Sequence, residues 1–402
     1  MSPAVGPPPL QGLLVVAVEQ AVAGPLATRH LADLGARVIK VERPGTGDFA
    51  RDYDHVVEGL SSHFVWLNRG KESVALDLAD SSSRTILDQL LDRADVFLHN
   101  VAPPTAQRFG LAGDQVRATR PALIACDISG YGDGGPYAGR KAYDLLVQAE
   151  AGLLQVTGTP GTPCKAGIPV ADIAAGMYAF SSVLAALYHR QRTGTGCCLS
   201  VSLFDALAEW MGFPFYYAAY GEAAPARRGA EHASIAPYGP FTAADGQTTV
   251  IAVQNDREWQ RFCAHVLDDP DLAGRRDFAT NAARSAHRAE LHQVIGDRLR
   301  RLSTPQLTAL LEQADVAHAQ TGDVARLHEH PQLVDRGRVR KVASPAGSLY
   351  ALEPPTSQPG WSAPLGSVPA VGEHTDAIVR WLGAADGGPA EDEPADTERT
   401  AR

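Results

Sequence analysis

The stretch LLVVAVEQAVAGPLATRHLADLGARVIKV, Leu13 to Val41, decides the fold. Leu13 to Val18 is an unbroken apolar run of strand length, the pattern of a strand buried on both faces. Pro25 stands where a helix start tolerates proline, since the missing N–H has no intrahelical partner there, so Pro25 to Leu34 reads as a helix. Arg37 to Val41 returns to a β-rich run, and the three pieces make a β-α-β unit. Further along, a strand over Val74 to Leu78, a helix over Ser82 to Leu91 and strands over Val96 to His99 and Leu123 to Ile128 repeat the alternation. The expectation is an α/β fold whose large, Rossmann-like domain carries a mostly parallel sheet. No GxGxxG follows the first strand, which argues against a dinucleotide dehydrogenase.

At 402 residues the chain calls for two domains. Residues 1–222 read as the large domain. Composition turns to Ala, Pro and Arg over Ala223 to Gly229, a linker; residues 223–330 then carry a hairpin turning at Asp245-Gly246 and helices over Glu258 to Leu267 and Ala286 to Leu302, a smaller α/β domain. The segment 384–402 is acidic and rich in Gly, Pro and Ala, and reads as a disordered tail. With 45% hydrophobic and 20% charged residues the composition is that of a globular protein. A net charge of −10 argues against nucleic acid as partner. The uninterrupted apolar runs fall short of the roughly 20 residues that span a bilayer, and MSPAVGPPPLQG lacks a basic segment followed by an apolar one. A cytoplasmic protein with no membrane association is expected. Five cysteines without CxxC spacing read as reduced thiols, with no metal site.

In KAGIPVADIAAGMY, Lys165 to Tyr178, the carboxylate of Asp172 sits where a strand-like run meets a small-residue helix start. Ile168, Val170 and Ile173 are expected to pack around it. An aspartate there can serve as an N-cap. It can also be a nucleophile, ionised beside a helix N-terminus without any upward shift of its pKa.

The motif resembles that of the class III CoA-transferases, and the likeness extends along the chain. It includes Val18 to Asp48, FVWLNRGKESVALDL (Phe64 to Leu78), ADVFLHNVAPPTAQRFGL (Ala94 to Leu111) and ISGYGDGGPYAGRKAYDLLVQAEAGLL (Ile128 to Leu154). After Asp172 come GTGCCLSVSLFDAL (Gly194 to Leu207), EHPQL (Glu329 to Leu333) and GEHTDAIVRWLG (Gly372 to Gly383). The resemblance implies that residues 331–383 return to the large domain and that two chains interlock as a homodimer. It implies coenzyme A, as an acyl-CoA, for substrate, with no tightly bound cofactor, and small carboxylic acids as the other partner. Asp172 would carry an acyl anhydride and then a CoA thioester.

By the same resemblance Ala21, Val22, Ala23, Arg43, Asn100, Arg108 and Lys141 fall on CoA-contact positions. Ala79 stands where relatives commonly have lysine. Racemisation of a 2-methylacyl-CoA is an alternative, but Tyr143 replaces the histidine that racemase relatives place before the aspartate. A non-catalytic acyl-CoA-binding protein is another. The overall pattern is most similar to relatives handling C4 and C5 dicarboxylates, with succinyl-CoA as donor. Arg227, Arg228 and His232 replace the glycine-rich loop of formyl-CoA transferase relatives, which argues against oxalate and formyl-CoA, and supply cations for a distal carboxylate.

Overall fold

The computed structural model describes residues 6–221, 223–356 and 361–386. Two compact units emerge: one holds the chain up to Ala151, Ile168–Trp210 and the chain from Leu333 onward, the other Gly152–Gly167 and Met211–Gln332.

The first unit is built on six parallel strands, β1 (Leu14–Val18), β2 (Arg37–Glu42), β3 (Lys71–Ala75), β4 (Val96–His99), β5 (Ile124–Ser129) and β6 (Cys198–Ser202). Their order across the sheet is β3-β2-β1-β4-β5-β6, and every pairing is parallel. All five residues of β1 are buried, as an apolar run at the centre of a covered sheet should be. One face packs against α1 (Ala23–Asp33), α2 (Asp144–Glu150), α3 (Val170–Thr193) and α4 (Leu203–Trp210). The opposite face buries Val16, Ile39, Phe97, Leu87 and Leu90 with Ile378 and Leu382 of the last helix, Thr375–Asp386. That helix reaches three residues into the segment read as a tail; residues 387–402 lie outside the described residues. α3 is long and apolar enough, by length and composition, to cross a membrane, with a mean hydropathy of 1.6 over its best window. The count of uninterrupted apolar residues missed it because Asp172 and the polar residues near its end break the run. Its buried stripe, Ala171, Ala175, Ala179 and Val183, belongs to the core.

In the second unit the antiparallel strands Tyr238–Thr242 and Thr248–Ala252 form the expected hairpin, and Gly246 at its turn has φ +78°. Ala317–Gln320 adds a third strand. Trp259, Phe262, Phe278, Leu291 and Ile295 fill the core beneath. The first crossing between the units falls at Ala151, because the short hairpin Gly158–Thr159 and Thr162–Pro163 is tied to Arg227 and Gly229; the sequence reading placed that first crossing at 222–223 and the return at 331.

Candidate functional site

The turn between β1 and α1 is the centre of the site. Ala21 has φ +60°, a left-handed conformation unusual for a residue with a Cβ. Three neighbours hold it there. Asn100 accepts the Gln20 N–H at 2.9 Å and donates to the Gln20 carbonyl at 2.7 Å, using both ends of its amide. Asp48 accepts the Ala21 N–H at 3.1 Å. Gly24 packs tightly from the other side, since a Cβ there would lie 3.0 Å from Glu19 Cβ and 3.3 Å from Asn100 Cγ and would press both outward. Asn100 follows β4 and Gln20 follows β1; adjacent parallel strands bring the two loops together.

The order of strands reverses between β1 and β4, and an open α/β sheet binds ligands outside the carboxyl ends of its strands at such a point. A cavity of about 480 Å³ lies there, lined by Gln20, Arg43, Leu78, Ala79, Ala102 and Phe109 among others. Arg43 is exposed at its rim. Ala79 also lines it, leaving space where the resemblance led us to expect a lysine. Arg108 is exposed near the end of the helix Pro103–Phe109 with its guanidinium 4.7 Å from the ring centre of Phe109. Lys141, exposed ahead of α2, is outside the lining. Val22 and Ala23 are buried, and neither is among the residues lining the cavity.

Asp172 is the third residue of α3, whose N-cap is Pro169. Its side chain is therefore no N-cap, and among the described residues its carboxylate accepts no hydrogen bond. Ile173 packs on Val22, Leu26 and Leu67, while Ile168 is 59% exposed, contrary to the expectation that it would be packed. α3 approaches α1 closely: a Cβ on Gly176 would lie 2.7 Å from the Ala23 carbonyl oxygen. Only glycine permits that approach, and it places Asp172, one turn earlier, beside the β1–α1 turn.

Asp144 takes the capping role. Its Oδ1 accepts the N–H groups of Ala171 at 2.8 Å and Asp172 at 3.4 Å, and Gln148 donates to its Oδ2 at 2.6 Å. Burial, and next the like charge of Asp144, push the Asp172 carboxyl up to about 7. The sequence reading called for no upward shift; removal from water and a like charge both disfavour the anion. Tyr53, not singled out from the sequence, stands in the field of the same groups. Burial first, then Asp48, Asp172 and Tyr143, raise its phenol to about 12, so it stays a neutral donor. Tyr143 is 65% exposed.

The remaining candidates lie in the second unit. Arg227 donates to the carbonyls of Thr159 (2.9 Å), Gln155 (3.3 Å) and Pro160 (3.0 Å), which commits its guanidinium to the hairpin. His232 Nδ1 accepts the N–H groups of Ser234 and Ile235 at 3.2 and 3.1 Å, with its ring stacked on Tyr238. Arg228 instead lines a cavity of about 640 Å³ with Tyr216, Tyr217 and Tyr220.

Residues 10–375 match CoA-transferase family III. The human succinyl-CoA:glutarate CoA-transferase is 30% identical over 376 residues, covering 92% of this chain and 85% of that one. The acetyl-CoA:oxalate CoA-transferase of Acetobacter aceti is 34% identical over 89% of this chain and 94% of its own. A CAIB/BAIF family protein from Brucella suis superposes with a TM-score of 0.82 at 34% identity, covering 93% of this chain and 99% of that one. The doubly wound sheet carries a crevice at its switch point, and α3 carries the partly buried carboxylate of Asp172. The chain belongs to CoA-transferase family III and is a class III CoA-transferase.

Proposed function

We propose that this CoA-transferase moves CoA between small dicarboxylates, with succinyl-CoA as donor, through covalent intermediates on Asp172. The observation that carries this reading is the close packing of α3 on the β1–α1 turn, Ile173 against Val22 and Gly176 against the Ala23 carbonyl, which brings Asp172 to that turn. An Asp172 oxygen attacks the thioester carbonyl, and the C–S bond breaks to leave an acyl-aspartyl anhydride and CoA thiolate. The thiolate attacks the aspartyl carbonyl and expels the donor acid, leaving an aspartyl-CoA thioester. The acceptor carboxylate then attacks this thioester; the thiolate departs and returns to the acceptor's acyl carbonyl, freeing Asp172. The N–H groups of Ala23 and Gly24, at the start of α1 where no intrahelical acceptor exists, supply donors for a developing oxyanion. CoA lies along the crevice with Arg43 at its phosphates.

Brief incubation with succinyl-CoA followed by hydroxylamine is the test. Mass spectrometry should find a hydroxamate on the Asp172 peptide of the native protein; its absence with every short dicarboxylyl-CoA would remove the covalent route.

Support for dicarboxylates comes from the names of the relatives. The relative that uses oxalate weakens the argument against oxalate drawn from the missing glycine-rich loop, and oxalate belongs on the panel of acceptors.

A homodimer is supported by the helix Gly212–Tyr220, which buries none of its residues and exposes Phe213, Phe215, Tyr216 and Tyr220. Sedimentation equilibrium should return twice the mass of one chain, and the single-chain mass would refute it.

A further inference from the structure

Asp48 takes no part in the transfer chemistry, yet it is buried and both of its oxygens are used. Oδ1 accepts the N–H groups of Ala21 at 3.1 Å and Ala50 at 2.9 Å, and Oδ2 lies 2.9 Å from Lys40 Nζ. Lys40 in turn donates to the Glu19 carbonyl at 3.1 Å and stands 3.5 Å from the Glu19 carboxylate. Lys71 completes the cluster: its Nζ is 2.7 Å from Glu19 Oε1 and donates to the Pro25 carbonyl at 3.0 Å. Glu19, Lys40 and Lys71 have fully buried side chains. The charges meet the β1–α1 turn at the Glu19 carbonyl, the Ala21 N–H and the Pro25 carbonyl.

Stability alone is a weak reason for so many buried charges, because their desolvation offsets most of their attraction. Their hydrogen bonds to the turn suggest what they do. A left-handed conformation is unfavourable for a residue with a Cβ, and a hydrogen bond to a carboxylate is strong enough to hold it there.

We propose that Asp48, held by the buried Lys40, is a positioning residue that keeps Ala21 left-handed and so sets the turn against which acyl-CoA lies. The proposal rests on the CoA placement given above. It also reaches Tyr53, because the Ala50 N–H on the same oxygen fixes the short helix Phe49–Asp52 that delivers Tyr53 toward Asp172.

The test uses the full-length protein, with hydrogen exchange of the peptide spanning Gln20 to Gly24 and steady-state kinetics. Asp48→Ala should speed exchange of that peptide without ligand and raise the KM for acyl-CoA about tenfold, with the acceptor KM within about twofold. Adding Ala21→Gly should bring the acyl-CoA KM back to within about threefold of native, since glycine adopts the left-handed conformation unaided. That rescue separates positioning from general damage. If Asp48→Ala does not fold, Asp48→Asn keeps an acceptor oxygen while removing the negative charge that faces Lys40, and should show the same rescue on a shift of about threefold. Unchanged exchange at the turn, or a raised KM that Ala21→Gly leaves in place, would overturn the proposal. CoA should also slow exchange of this peptide in the native protein. If it does not, while Asp48→Ala still speeds exchange, the CoA placement is wrong; if it does and Asp48→Ala changes nothing, positioning alone fails.

Discussion

Asp172→Asn is expected to lower turnover with every acyl-CoA donor by about 10³-fold to 10⁵-fold while leaving CoA binding within about threefold. An amide of the same shape keeps the packing of Ile173 and the capping by Asp144 but lacks the anion that the proposed route needs for attack on the thioester. The substitution should also stabilise the protein, and the sign follows from linkage. The folded-state pKa of Asp172, about 7, lies above its ordinary 3.8, so folding favours the protonated form. Any stability from that preference is fully present below the ordinary value and is lost as pH rises through 7. Near pH 8 the native protein therefore carries an unfavourable buried anion, and Asp172→Asn should be about 2–4 kcal/mol more stable; the gap should close below about pH 4. Urea unfolding at both pH values, alongside turnover, checks both halves. A variant equally active, or no more stable at the higher pH, would contradict this account of Asp172.

The doubly wound half of the molecule was legible because its signals are local and periodic. β1 as an apolar run, Pro25 at a helix start and β4 over Val96–His99 depend on neighbours in sequence. β3 was read late, at Val74 to Leu78, because its first residue, Lys71, is a lysine; the distant Glu19, with the Pro25 carbonyl and Asn68, makes a buried lysine tolerable there. Asp172, Arg43 and Asn100 stood out in the sequence; the pairing of Asn100 with the Gln20 backbone came from the structure. Asp48, Tyr53 and the capping role of Asp144 could not be read, because each acts through a partner far along the chain. Asp48 meets Ala21 across 27 positions, and Asp144 meets Ala171 across the same separation. Arg227 shows the reverse failure: a basic pair looked free, but a hairpin some 68 positions earlier uses one member. An upward shift of the Asp172 pKa was likewise invisible, since local sequence suggested a favourable helix dipole and gave no measure of burial.

That shift leads to the second large effect, on pH dependence. If the ionised Asp172 is the attacking group, kcat/KM for the acyl-CoA half-reaction should rise with pH through about 7. One carboxylate at that value is about 1% ionised near pH 5 and about 90% near pH 8, so the native enzyme should lose close to a hundredfold between them. Asp144 is the part of the shift that can be removed. Asp144→Asn keeps an oxygen for the Ala171 N–H and takes away the like charge, so the limb should move about one unit toward acid. Burial is the larger cause and is untouched, so the limb should stay well above the ordinary aspartate range. The variant should then be several-fold faster than native near pH 6 and close to native near pH 8.5, a gain in activity from removing a like charge beside Asp172. Loss of capping or a proton-relay role for Asp144 would instead depress the rate at every pH without moving the limb. Pre-steady-state release of CoA thiolate across this range separates the two outcomes, because it reports the attack by Asp172 before the acceptor enters.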